Sequence, residues 1–153
     1  MDLILWRHAE AEEQSADGSD LSRVLTPRGE KEAARMGAWL DSKLPDTARI
    51  LCSPAARCEQ TAMALGRKFK IRPELAPGAT PQALLEAAQW PNARQAVVLV
   101  GHQPTLGQTI AKLLGLQAGQ CAVRKGAAWW FRAREREGVL QTVVVAVWPP
   151  DLV

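Results

Sequence analysis

The chain has two histidines, and each directly follows a short apolar run. Leu3-Ile4-Leu5-Trp6 leads into Arg7-His8, and Ala96-Val97-Val98-Leu99-Val100 leads into Gly101-His102. A third run, Ile50-Leu51-Cys52, leads into Ser53-Pro54 and then Arg57. A single histidine in such a place is ordinarily a packed or solvated residue. Both histidines at run ends, with one arginine adjacent and another beyond the third run, form a joint pattern that points to chemistry. Arginine forks suit the paired oxygens of phosphate or carboxylate and stay charged at any cellular pH. Histidine serves as a nucleophile or a proton carrier near neutrality. Two of each suit phosphoryl transfer, where positioning and charge neutralisation supply most of the catalysis. A metal site is not expected: Cys52, Cys58 and Cys121 have no C-x-x-C or zinc-ligand spacing among themselves or with the histidines. No G-x-x-x-x-G-K-[ST] loop is present, which disfavours nucleotide hydrolysis of that type.

These residues need elements to hold them. The three apolar runs read as buried strands. Residues 9–24 carry Glu, Ser, Asp and Gly without periodicity and read as a long exposed loop, of a length that is often functional. Thr26-Pro27 marks a helix start that runs to Leu44-Pro45, with Thr26 as cap and Pro27 preset for the first helical position. Ser53-Pro54 reads the same way, as a cap before a helix from Cys58 to Phe69, with Arg67, Lys68, Lys70 and Arg72 complementing its C-terminus. Further helices are expected from Thr80-Pro81 to about Gln89 and from about Thr105 to Leu114, and further strands over Ala127–Arg132 and Thr142–Trp148. Strands alternating with helices predict an α/β fold, three-layer α/β/α with a central, mostly parallel sheet. Ligand sites in such sheets lie beyond the carboxyl ends of the strands, which singles out Arg7-His8, Ser53 to Arg57 and Gly101-His102.

At 153 residues, 47% hydrophobic and 23% charged, the composition is that of a single globular domain, taken as residues 1–153. The net charge of +3 is small and scattered and does not by itself argue for nucleic acid, so no nucleic-acid partner is expected. No apolar run reaches the roughly 18 residues of a membrane helix, and Met1 to Trp6 lacks the basic flank of a secretory signal. With an odd number of cysteines, the expected setting is cytoplasmic and reducing. The six tryptophans read as core and sheet-face packing, and Arg132, Arg134 and Arg136 as a solvated basic face along one strand. The acidic stretch from Glu10 to Asp20 reads first as a solvated, flexible segment, the alternative being a screen against wrong anionic substrates.

Four blocks, in order, also resemble a known family. Leu5-Trp6-Arg7-His8-Ala9 is similar to the "RHG" signature of the histidine phosphatase (phosphoglycerate mutase-like) superfamily. Leu25-Thr26-Pro27-Arg28-Gly29 resembles its "LTxxG" helix start. Ser53-Pro54-Ala55-Ala56-Arg57-Cys58-Glu59-Gln60-Thr61-Ala62 resembles its "SPxxRxxQTA" segment, the most specific of the four, and Val100-Gly101-His102-Gln103-Pro104 the block around its second histidine. The short length, which leaves little room for lid insertions, and Glu74-Leu75-Ala76-Pro77 resemble the compact SixA-type phosphohistidine phosphatases.

The resemblance implies a phosphatase that hydrolyses phosphohistidine on a protein, such as a phosphorelay or phosphocarrier domain, with no metal or organic cofactor. It implies His8 as the nucleophile, Arg7 and Arg57 as the phosphoryl clamp, and His102 as a donor to transition-state oxygens. Ser53 reads as a helix cap, Gln60 and Thr61 as buttresses of Arg57, and Glu74 as the nearest candidate for a general acid, though more simply a solvated loop residue. Ala9 stands where the family usually has glycine. The alternative is a phosphomonoesterase that takes a small phosphate ester by the same phosphohistidine chemistry. The remaining contenders are a non-catalytic phosphate-recognising or partner-binding module and, from the basic pI alone, a nucleic-acid binder.

Overall fold

The computed structural model describes all 153 residues. Six strands form one sheet: β1 (Asp2–Arg7), β2 (Arg49–Cys52), β3 (Lys70–Ile71), β4 (Val97–Gly101), β5 (Ala128–Arg136) and β6 (Val139–Trp148). The order across the sheet is β3-β2-β4-β1-β5-β6. The β3, β2, β4 and β1 strands run parallel, while β5 and β6 are antiparallel additions at one edge. The sheet is therefore mostly parallel, as its apolar runs predict.

Four helices cover it: α1 (Pro27–Lys43), α2 (Ala56–Met63), α3 (Pro81–Ala88) and α4 (Thr105–Leu114). Period-two alternation of the central strands builds the layers. Ile4, Trp6, Ile50, Cys52, Val98 and Val100 face Met36 and Leu40 of α1 and Cys58 and Ala62 of α2. Leu3, Leu5, Leu51, Val97 and Leu99 face Leu84 and Ala88 of α3 and Leu106 and Ile110 of α4. Fully buried strands of this kind have no polar face to alternate with, which explains why they read as continuous apolar runs.

Helix α1 starts as expected: the Thr26 hydroxyl accepts from the Gly29 N–H at 3.0 Å, with Pro27 at the first helical position. Gly29 faces the 9–24 loop so closely that a Cβ there would overlap the Glu10 carbonyl oxygen. That oxygen is itself fixed, accepting from the Thr26 N–H at 3.0 Å. Gly29→Ala should therefore destabilise the fold by about 2 kcal/mol or more, read as a lowered denaturation midpoint at unchanged m-value. A midpoint equal to that of the parent would show that the loop yields at no cost.

Two expected boundaries are corrected. Helix α2 begins at Ala56, its cap position Ala55 has no side-chain cap, and Ser53 caps no helix. The helix also ends at Met63, well short of Phe69, because Gly66 takes a left-handed turn at φ +75° and sends the chain back toward α1. Arg67 then reaches the carbonyls of Asp41, Leu44 and Pro45 and the Asp41 carboxylate. It complements the C-terminus of α1, not of its own helix. The 9–24 loop is also more ordered than its composition implies. Ala11 bridges to Leu25, and the Asp17 carboxylate accepts from the Ser15 and Ser22 hydroxyls and the Ser19 N–H. Of the tryptophans, Trp6 and Trp130 are in the core and Trp39 stacks on Trp148 at 5.4 Å. Arg132 is not a free basic residue: it grips the Asp2 carboxylate through Nε at 2.7 Å and Nη2 at 2.8 Å.

Candidate active site

Parallel register places the site. Arg7 of β1 pairs with Gly101 of β4, and Cys52 of β2 pairs with Val100, so three strands end at one level. The residues just beyond them, His8, His102 and Ser53, converge there together with Arg57 from the first turn of α2.

His8 is 6% exposed and its Nδ1 lies 2.7 Å from the Ala9 carbonyl oxygen. A carbonyl can only accept, so Nδ1 carries the ring proton and Nε2 the lone pair. Burial, reinforced by the neighbouring His102, Arg57 and Arg7, pushes its pKa down to about 3. The ring is therefore neutral at physiological pH, with an unprotonated Nε2. The His102 ring stands 5.4 Å away, centroid to centroid. Burial, with Arg57 next in effect, lowers the His102 pKa to about 4. Its Nε2 lies 2.7 Å from the Ser53 Oγ and its Nδ1 3.4 Å from Arg57 Nη2.

Both arginines are held by part of the guanidinium only. Arg7 Nη1 donates to the Val123 carbonyl at 2.7 Å. Arg57 donates through Nη1 to the Asp20 carbonyl at 2.8 Å and through Nη2 to the Asp20 carboxylate at 3.1 Å. The Nε of each is buried without a partner. Unpaired buried donors are costly and rare, and two on neighbouring cations mark a place built for an anion. No group of three or more His, Cys, Asp and Glu side chains comes together in a metal-binding arrangement.

The supporting contacts separate the other expected residues. Thr61 does buttress Arg57: its hydroxyl donates to the Arg57 carbonyl at 2.7 Å and accepts from the Ala9 N–H at 3.1 Å, linking the arginine to the His8 turn. Gln60 does not; its Oε1 accepts from the Leu25 N–H at 2.7 Å and pins the end of the 9–24 loop. Ser53, fully buried, belongs to the cluster through His102 and accepts from the Ala55 N–H at 3.2 Å. Glu74 pairs with Arg72 and contacts none of the four central residues. The chain from Cys121 to Ala127 was not expected here. Gly126 donates to the His8 carbonyl and accepts from the Trp6 indole, Ala127 accepts from the Arg7 N–H, and Val123 holds the Arg7 side chain. Its contacts are made by backbone atoms, which leave no signature in residue type. Asp20 was missed as well, since its neighbours in sequence are equally acidic and only the fold selects it.

The model of the histidine phosphatase superfamily (branch 1) matches residues 3–80, which include Arg7, His8 and Arg57. This chain belongs to that superfamily. The phosphatase is 30% identical over 126 residues to the phosphohistidine phosphatase SixA of Escherichia coli, an alignment covering 74% of each chain. It superposes on a putative phosphohistidine phosphatase SixA from Agrobacterium tumefaciens with a TM-score of 0.79 and 26% identity, covering 97% of this chain and 98% of the other. A SixA protein histidine phosphatase complexed with tungstate gives a TM-score of 0.78 at 25% identity, with 99% of both chains covered. The phosphatase is thus an enzyme of the SixA-like, phosphoglycerate mutase-like type, and no helix in it is long and apolar enough to cross a membrane.

Proposed function

We propose that the phosphatase hydrolyses phosphohistidine on a protein, through a covalent phospho-His8 intermediate. In the first step the Nε2 lone pair of His8 attacks phosphorus in line. The new N–P bond forms as the substrate P–N bond breaks, and its electron pair returns to the departing imidazole. That ring leaves neutral, its other nitrogen already carrying a proton. Water then attacks the phosphoenzyme; its oxygen bonds to phosphorus, the His8–P bond breaks with its electron pair returning to Nε2, and both water protons leave on dihydrogen phosphate. Arg7 and Arg57 hold the equatorial oxygens throughout, and His102 donates to one of them.

One observation carries the choice of substrate. The only carboxylate hydrogen-bonded to the four central residues is Asp20. The Arg23 guanidinium, with Arg57 beside it, holds that carboxyl below the usual range. It is ionised at neutral pH and has no proton to give. An alkoxide leaving group needs such a proton, whereas an imidazole does not. The names of the SixA relatives support the same reading.

The test is phosphate release from a histidine-phosphorylated phosphorelay or phosphocarrier domain, run beside a sugar phosphate at equal concentration. Rapid release from the protein alone supports the proposal. Preference for the sugar phosphate moves the enzyme to small-molecule esters, and release from neither favours a binding module.

Asp20 also occupies donors of Arg57 that a phosphoryl group would use. Asp20→Asn should therefore tighten binding of inorganic phosphate about two- to fivefold, the value of a pair with one solvent-exposed partner. Calorimetric titration checks this; equal or weaker binding would mean that Asp20 supports the anion rather than competing with it.

A further inference from the structure

We propose that the Ser53 hydroxyl is a positioning group that lets neutral His102 change which ring nitrogen carries its proton when an oxyanion binds. The inference rests on the reading of the Arg7–Arg57 pocket as an oxyanion site.

In the structure His102 Nδ1 faces Arg57 Nη2, a group that can only donate. Nδ1 therefore bears the lone pair and Nε2 the proton, which is donated to Ser53 Oγ at 2.7 Å. An oxyanion on Arg57 reverses the demand. Its oxygens only accept, so a lone pair on Nδ1 would repel them and an N–H there would bind them. A second positive charge is one solution, but burial beside Arg57 and Arg7 opposes it. The other is a change of tautomer at constant charge: one proton leaves Nε2 to water and one from water arrives at Nδ1. Nε2 then needs a donor in place of an acceptor.

A hydroxyl is suited to both states. Ser53 Oγ has one proton and two lone pairs, and one lone pair is already committed to the Ala55 N–H at 3.2 Å. The second lone pair accepts from Nε2–H in one state, while rotation of the hydroxyl proton onto Nε2 serves the other. In the first state that proton can turn toward the Cys58 sulfur, a weak acceptor 3.4 Å from Nε2. A carbonyl or an ammonium in place of Ser53 would freeze the ring in one form.

Two histidines make the test direct, since nitrogen NMR of histidine-labelled protein shows two rings. At pH 7, without oxyanion, His102 should be neutral with its proton on Nε2. Saturating tungstate should move that proton to Nδ1. His8, tied to the Ala9 carbonyl, should keep its Nδ1 proton in both samples and so serves as an internal reference. Ser53→Ala should lose the clean preference in the tungstate-free protein and reduce kcat about tenfold or more, and Ser53→Thr should restore both. Tungstate that shifts the ring signals yet leaves the proton on Nε2, or protonates both nitrogens, overturns the inference and leaves the pocket reading intact. So does a Ser53→Ala protein that switches as the parent does. Tungstate that perturbs neither ring overturns the pocket reading and the inference together.

Discussion

His8→Ala should abolish turnover and phosphoenzyme formation while the protein stays folded. The expected loss is on the order of 10⁴-fold or more, as for removal of a covalent nucleophile whose partners cannot replace it. The geometry leaves no substitute. His102 is the only other imidazole, and both of its nitrogens are engaged, by Ser53 and Arg57. Both neighbouring buried thiols, Cys52 and Cys58, are held protonated by burial, and a thiol is a far weaker nucleophile than its thiolate. Folding should survive, because His8 makes one side-chain hydrogen bond, to Ala9, and lies outside the apolar clusters of the core. Rapid-quench detection of labelled phosphoenzyme, with circular dichroism on the same sample, checks both halves. A folded variant that keeps a substantial rate would remove His8 from the nucleophile role.

Arg57→Lys should lower kcat/KM by about 10²- to 10³-fold, the range found when one preorganised donor to a transition-state oxygen is lost. The charge is conserved, so a merely coulombic role would predict little change. Arg57 does something a lysine cannot. Its planar fork reaches the Asp20 carbonyl and carboxylate and approaches His102 Nδ1, with a buried Nε still unpartnered. A single ammonium cannot serve those directions together. Arg28→Lys is the control: Arg28 is largely exposed and pairs only with Glu32 one turn on, so its replacement should leave the rate unchanged. Equal effects of the two substitutions would show that Arg57 acts only through its charge.

The sequence made some of this legible and hid the rest for physical reasons. Strand ends were readable because buried parallel strands are continuous apolar runs, and the residues just after them must lie at the carboxyl edge of the sheet. The start of α1 and the whole of α4 followed from local signals, a threonine cap and an apolar periodicity, that no tertiary contact overrides. Ser53 was misread because Ser-Pro is a genuine helix-opening signal, and only the arrival of His102 from β4 claims its hydroxyl. The length of α2 failed in the same way. Its residues tolerate a longer helix, but the chain turns at Gly66 so that Arg67 can close α1. Glu74 reads most simply as a solvated loop acid, and its ion pair with Arg72 fits that reading, whereas Gln60, close to Arg57 in sequence, has its side-chain oxygen claimed by the Leu25 N–H.

The backbone segment from Cys121 to Ala127 has a consequence for how the enzyme comes into being. Synthesis is vectorial, and all four recognisable blocks leave the ribosome before this segment does. Until it arrives, Arg7 lacks the Val123 carbonyl that aims it, and the His8 carbonyl lacks the Gly126 N–H. A nascent chain ending before Cys121 thus carries Arg7, His8, Arg57 and His102 without two of the bonds that orient the first pair. Activity should therefore appear only once the Cys121–Ala127 segment has docked against the end of the first strand.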